Sequence, residues 1–365
     1  MFKTVIAKLR KVLAARQRLV GKLAAEQRVL RARAAAAGLA ARQAAALSEL
    51  AGLLSSGGGS GGGGTTEPGL GLAEELRALQ NQLGGDGGGG GADALGAPIG
   101  WDPRAAAAAA GDYDVASVEG VRRAYASIVR EGVPLVARAA NSTLDAEQAR
   151  RKLGALHTGM LQLIALLGTA AATPRTGFQV VIAPFDTGDS ADSGGSARSG
   201  GGGGGSVQEG TSGAASSGGS RQGSTAAAPP ADLWRWAAVQ LGPSPEQHEL
   251  LDALLSLFRL RCDRIGACRA ELLAALRAAL GGAADGDSEA PPLPEEAVEG
   301  MAALQREELL VWVVFDLAVV CVLSPEQCIR WTAACLPHIP TLLELEAGLA
   351  ALGDRGGDKP PSGRG

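Results

Sequence analysis

Apolar residues near the start of the chain recur at alternating steps of four and three. Val5, Leu9, Val12, Leu19, Leu23, Leu30, Leu47 and Leu54 fall on one seam, which is the spacing of a heptad repeat. The pattern predicts one long helix over residues 3–54. Arg16, Glu26 and Arg33 interrupt the seam, and its middle, Ala37, Ala40 and Ala44, offers little apolar bulk. The glycine–serine run that follows ends the helix, because such a composition behaves as random coil. Residues 72–83 carry a short helical pattern ahead of a second glycine tract. Residues 113–168 read as a helical pair. Its first member breaks at Gly132 and Pro134, since proline removes a backbone donor within a helix. Its second opens at Asp145, with Gln148 three residues on in a capping-box arrangement. "FQVVIAPF" (178–185) has strand character, but a short lone strand is better read as a docked extended segment. The Gly/Ser tract 187–224 reads as disordered.

Residues 232–352 carry the fullest set of signals. The tetrapeptide SPEQ stands at 244–247 and again at 324–327. In each copy Ser is placed as N-cap, Pro as the first helical residue and Gln as the third. From the first copy, Leu251, Leu254, Phe258, Cys262, Ile265, Leu272, Leu276 and Leu280 mark one helical face. "LLVWVVFDLAVVCVL" (309–323) is apolar on every side apart from Asp316. It is shorter than the roughly 20 residues a bilayer requires, so it predicts the central helix of a bundle and no membrane span. Asp316 then needs a partner or stays protonated, because an unpaired buried charge costs several kcal/mol, on the order of a domain's whole stability.

The stretch "LSPEQCIRWTAACLPHIP" (323–340) gathers two of five cysteines and one of three histidines. On a helix from Pro325, Cys328, Trp331 and Cys335 share a face. The two thiols are then about 10 Å apart along the axis, too far to hold one zinc ion. Core packing is the reading, since free cysteine behaves as a small hydrophobe. Pro337 and Pro340 bracket a turn, after which Thr341 and Glu344 open a last helix by another capping box. Gly58-x-Ser60-x-Gly62 matches a nucleophile elbow by letter but lies in glycine linker without strand or helix. No glycine tract is followed by Lys-Ser/Thr, so no phosphate loop is present. No catalytic residue, cofactor or metal ligand is assigned, and the chain is read as not an enzyme.

Charge changes the picture at the N-terminus. Residues 1–54 hold eleven Lys and Arg against two Glu, a net of +9, which leaves −13 for the rest of a chain whose total is −4. A basic arm on an acidic body suits contact with an anionic partner or with the protein's own acidic parts. The partner read from the heptads is a protein, either a second copy or another helical chain, with Val5, Leu9, Val12, Leu19, Leu23 and Leu30 as the contact. A nucleic-acid partner, and with it a nucleic-acid-associated transcriptional regulator, is the alternative that the basic charge leaves open, without the stacking aromatics or dense basic cluster that would mark it. An import reading takes residues 1 to about 34 as an Arg- and Ala-rich transit peptide. Five cysteines, odd in number and all after residue 261, point to a reducing compartment. That favours nucleus or cytosol, with chloroplast or mitochondrion under the import reading.

"SPEQHELLDALLSLFRLRCDRIGACRAELLAAL", and "LSPEQ" opening a helix before a Pro-x-x-Pro turn and a leucine-rich end, resemble the C-terminal helical region of green-algal basic-leucine-zipper transcription factors. The resemblance covers residues 232–352 and implies a role in transcription regulation. The family's DNA-reading helix has Asn followed eight positions later by Arg or Lys. Here Asn81 and Asn141 are followed at that distance by Gly89 and Ala149, so DNA binding is carried over to no residue.

The expected fold is all-α, a helical bundle with a long coiled-coil-like N-terminal helix and disordered Gly/Ser-rich linkers. Its segments are a basic helix (1–54), a linker with one short helix (55–112), a helical pair (113–172), an extended and disordered stretch (173–231), a helical core (232–352) and a disordered tail (353–365). The expected function is that of a non-catalytic interaction or regulatory module that self-associates through its N-terminal helix.

Overall fold

A computed structural model describes residues 2–56, 68–84, 100–141, 144–169, 231–281, 295–336 and 338–353. Among these the architecture is all-α, with no strand. The helices are α1 (Phe2–Ser56), α2 (Pro68–Gly84), α3 (Pro103–Ala109), α4 (Val118–Ala139), α5 (Leu144–Leu167), α6 (Ala231–Leu241), α7 (Pro245–Gly281), α8 (Glu295–Val322), α9 (Pro325–Cys335) and α10 (Leu342–Gly353). The segment 178–185 and the tract 187–224 lie outside the described residues.

The apolar run 309–323 forms the C-terminal half of α8, and it occupies the centre. Leu310, Val311, Val313, Val314, Phe315, Leu317 and Ala318 are buried on successive faces, as expected for a helix hydrophobic all round. α1, α5, α7 and α10 pack against it. Phe258 of α7 meets Trp312 edge-on at 4.7 Å and tilts onto Phe315 at 5.8 Å, geometry that adds to burial through the ring quadrupoles. On the far side α4 and α5 pair with each other, while α9 bridges α4, α5 and α6. Polar ties hold the periphery. Glu75 of α2 pairs with Arg261 and, at 3.2 Å, with Arg264 of α7, and the Arg261 hydrogen bond beside it keeps its carboxyl below the usual range. Arg269 of α7 reaches Glu308 of α8, and Arg259 reaches Glu346 of α10 at 2.6 Å.

Three expectations need correction. The alanine-rich middle of α1 is its most buried part: Ala36, Ala37, Ala40 and Ala44 are fully enclosed, as is Leu50, among α2, α3, α7 and α8. Small side chains bring neighbouring helices close. A Cβ on Gly38 would sit 2.7 Å from Nε2 of Gln80 on α2, so lack of bulk here is a means of packing. Next, α4 runs unbroken through Pro134. The carbonyl that proline leaves free belongs to Arg130, and both residues are exposed, so water can satisfy it. The opposite face meanwhile buries Ile128, Val129 and Gly132, with Ile329 of α9 packed on Gly132, which offsets the ~3 kcal/mol a helical proline costs. Lastly, Asp145 lies inside the first turn of α5, which begins at Leu144. One helix, α3, falls within the segment read as linker. Asp102 caps it, and the neighbouring Trp101 is buried, its indole donating to Oε1 of Gln43 at 2.8 Å.

The two SPEQ tetrapeptides cap their helices as expected, and they also meet. Ser244 and Gln247 close one capping box, Ser324 and Gln327 the other. The two amides then bond reciprocally: Gln247 Nε2 donates to Gln327 Oε1 at 2.9 Å, and Gln327 Nε2 donates to Gln247 Oε1 at 3.0 Å. Each Nε2 spends its second hydrogen on the carbonyl two residues before the other's serine, Val322 and Gly242, at 2.8 and 3.1 Å. Both donors of each amide are thereby used, and each oxygen accepts twice, the full capacity of the group. Gly242 makes this approach possible by ending α6 with φ +53, the left-handed conformation in which glycine carries no Cβ penalty. A local two-fold symmetry thus relates α6–α7 to α8–α9.

This junction predicts non-additive stability. Gln247→Ala or Gln327→Ala alone strands the other amide and should cost about 1–3 kcal/mol. The double variant should cost less than the sum by ~1 kcal/mol, measured by urea unfolding as a double-mutant cycle. Additive losses would show that the two amides do not act together.

Candidate functional site

Two places in the fold present chemistry that the packing does not consume. The first is the N-terminal half of α1. Every side chain described between residues 6 and 31 is exposed, a segment of roughly 40 Å at the α-helical rise. The seam residues Leu9, Val12, Leu19, Leu23 and Leu30 lie along it, each 45–63 % exposed. The side chain of Val5 lies outside the described ones. Ile6, Leu13 and Val20, at 46, 57 and 66 % exposure, form a second row beside the seam. Their seven-residue interval was legible in the sequence once neighbouring heptad positions were counted. Arg28 holds the base of the arm to Glu249 of α7 at 3.9 Å. Within the arm, Arg18 donates to the Ala14 carbonyl at 3.3 Å and Lys22 lies 3.8 Å from Glu26 one turn on.

The second place is a cavity of about 110 Å³. Tyr125 of α4, Met160 of α5, Trp312 of α8, Trp331 and Cys328 of α9 and Leu345 of α10 are among its walls. Asp316 projects from the otherwise apolar α8 onto this space. Among the described residues no hydrogen bond or ion pair satisfies its carboxyl. Burial alone pushes its pKa up to about 7, since low polarity disfavours the charged form. Of the two outcomes the sequence left open, a partner or a proton, the surroundings supply none of the first. Tyr125 beside it is pushed well above the ordinary phenol range, chiefly by burial. Cys328, its sulfur 3.4 Å from that of Met160, is pushed up to about 12 by burial and by the negative charge available to Asp316.

The remaining reactive side chains are dispersed. His157 bonds the Val320 carbonyl at 3.0 Å, and burial lowers its pKa. His338 stacks edge-on against Trp234, and His248 pairs with Asp252 at 3.1 Å. Trp331 and Cys335 are buried beside Cys328 on one face of α9, and Thr341 with Glu344 caps α10, as the spacing predicted. Among the described residues no three His, Cys, Asp or Glu side chains converge as metal ligands would. No described helix is long and apolar enough to cross a membrane. No family model, no curated protein and no solved structure matches the chain.

Asp316 gives a pH dependence of known sign. Its folded-state pKa near 7 lies above that of an unfolded aspartate, so the stability it allows is complete below about pH 4 and is lost as pH rises to about 7. Relative to Asp316→Asn, the wild type should lose about 4 kcal/mol across that window, read from urea unfolding at a series of pH values. A difference independent of pH would mean that the carboxyl is ionised and solvated.

Proposed function

We propose that the protein is a non-catalytic helical interaction module whose free arm, residues 6–31, pairs antiparallel with the same arm of a second copy. The observation that carries this reading is the exposed heptad stripe on a helix segment that the other described residues leave exposed. An apolar stripe of that length is costly in water and is relieved when a matching stripe covers it.

The choice of a second copy, and of its direction, comes from the two charged residues inside the seam. A parallel, in-register pair sets Arg16 on Arg16 and Glu26 on Glu26. Turning one arm end for end about Gly21 sets Arg16 against the other copy's Glu26 twice over. The same register places Leu19 against Leu23, Val12 against Leu30 and Leu9 against Arg33, so every apolar layer but the last stays apolar. Charges at core-facing positions set orientation in this way. The overlap also uses the whole free length. Residue 6 falls opposite residue 36, where α1 enters its own bundle.

Sedimentation of the full chain should give a dimer, and Leu19→Asp with Leu23→Asp should return it to monomer. Arg16→Glu alone should weaken the dimer at least about tenfold, since two like-charge contacts replace two attractive ones. Adding Glu26→Arg should restore it. A parallel pair would be indifferent to the single change, and a monomeric wild type would sink the reading.

A further inference from the structure

We propose that the cavity between α4, α5, α8, α9 and α10 is a binding site for a small organic ammonium ion, a primary amine on a short apolar chain, with the Asp316 carboxylate as its counter-charge. This site is independent of the arm. Asp316 is half-buried by exposure, faces the cavity, and among the described residues shows no hydrogen-bond or ion-pair partner. A carboxylate that ionises in such surroundings is stabilised by whatever supplies the opposite charge.

The walls say which sign and shape that something has. Among the described residues no lysine, arginine or histidine lines the cavity, and the three titratable side chains that do, Asp316, Tyr125 and Cys328, can only become negative. An anion is therefore refused. Trp312 and Trp331 add aromatic surface, which attracts cations through the ring quadrupole. An ammonium carries three donors. The carboxylate of Asp316 takes the first, and the hydroxyl oxygen of Thr332 on the same cavity wall, whose own proton goes to the Cys328 carbonyl, is an acceptor for another. The apolar chain then lies against Met160, Trp312 and Leu345. Size limits its length: about 110 Å³ is less than the roughly 150 Å³ that holds benzene, so four or five heavy atoms fit.

Two physical consequences separate this from a cavity holding water. Binding must strengthen as the carboxylate ionises, and it must discriminate the cation from its neutral isostere. Ionisation in the relevant range belongs to Asp316. Tyr125 on α4 and Cys328 on α9 are both pushed far up by burial. α5 and α10 present no titratable side chain to the cavity, and no charge on α1 or α7 shifts Asp316.

The probe is n-butylamine, titrated into the full-length protein by calorimetry, with 1-butanol and butyrate as controls. At pH 8.5 the amine should saturate one site while both controls fail to compete with it. Its affinity should fall about 30-fold at pH 5.5, in proportion to the ionised fraction of a group titrating near 7. Asp316→Asn, which keeps the side chain's size, should bind amine and alcohol alike at both pH values. Equal binding of amine and alcohol by the wild type, amine affinity unchanged between the two pH values, or full amine affinity in Asp316→Asn would each overturn the proposal. Should the variant not fold, the pH series on the unaltered protein decides alone.

Discussion

A helix that is apolar around its whole circumference has no side to turn to water, and α8 imposes that constraint on everything else. Its buried residues follow one another through full turns, so walls are needed in every direction. α1, α5, α7 and α10 supply them. The same demand explains why alanines rather than leucines line the middle of α1. α1 must approach α8, α2 and α7 together, and only small side chains leave room for three neighbours at once. Asp316 is the single charged residue in this apolar run, and the low polarity around it is what pushes its carboxyl pKa up.

The amide pair at Gln247 and Gln327 adds specificity to a core that hydrophobicity alone would hold loosely. Apolar contacts tolerate sliding by a fraction of a turn. Six hydrogen bonds, four of them between the two segments, that satisfy two side chains completely do not. Each SPEQ segment caps its own helix and also completes the other's bonding, so the relative position of α7 and α9 is fixed at one point in three dimensions.

How much of this was legible in the sequence depends on range. Features that act within one turn were readable: the caps at Ser244, Ser324 and Thr341, the length of α1, and the shared face of Cys328, Trp331 and Cys335. The isolation of Asp316 in an apolar run was readable too, and so was the choice it faces between a partner and a proton. What the sequence hid was contact at a distance. The bond between two glutamines 80 residues apart has no local trace beyond the repetition of four letters. The burial of Ala36, Ala37, Ala40 and Ala44 was hidden for a different reason, because a scale that rewards bulk scores close approach as weakness. Pro134 misled in the same way. Its penalty was visible, whereas the packing of Ile329 against Gly132 that offsets it was not. In the candidate sites, Leu9, Leu19 and Leu23 were found by period, but the cavity beside Asp316 is a property of five helices together.

One further consequence follows from α1 being continuous from its exposed tip to Ser56. The arm and the core wall are the same rigid rod, with no hinge between residues 31 and 36 to absorb motion. A sideways force on the free end acts as a lever whose short arm ends among the enclosed alanines of the core. Whatever grips the tip therefore grips the interior as well, and tethering or release outside is felt as mechanical load within.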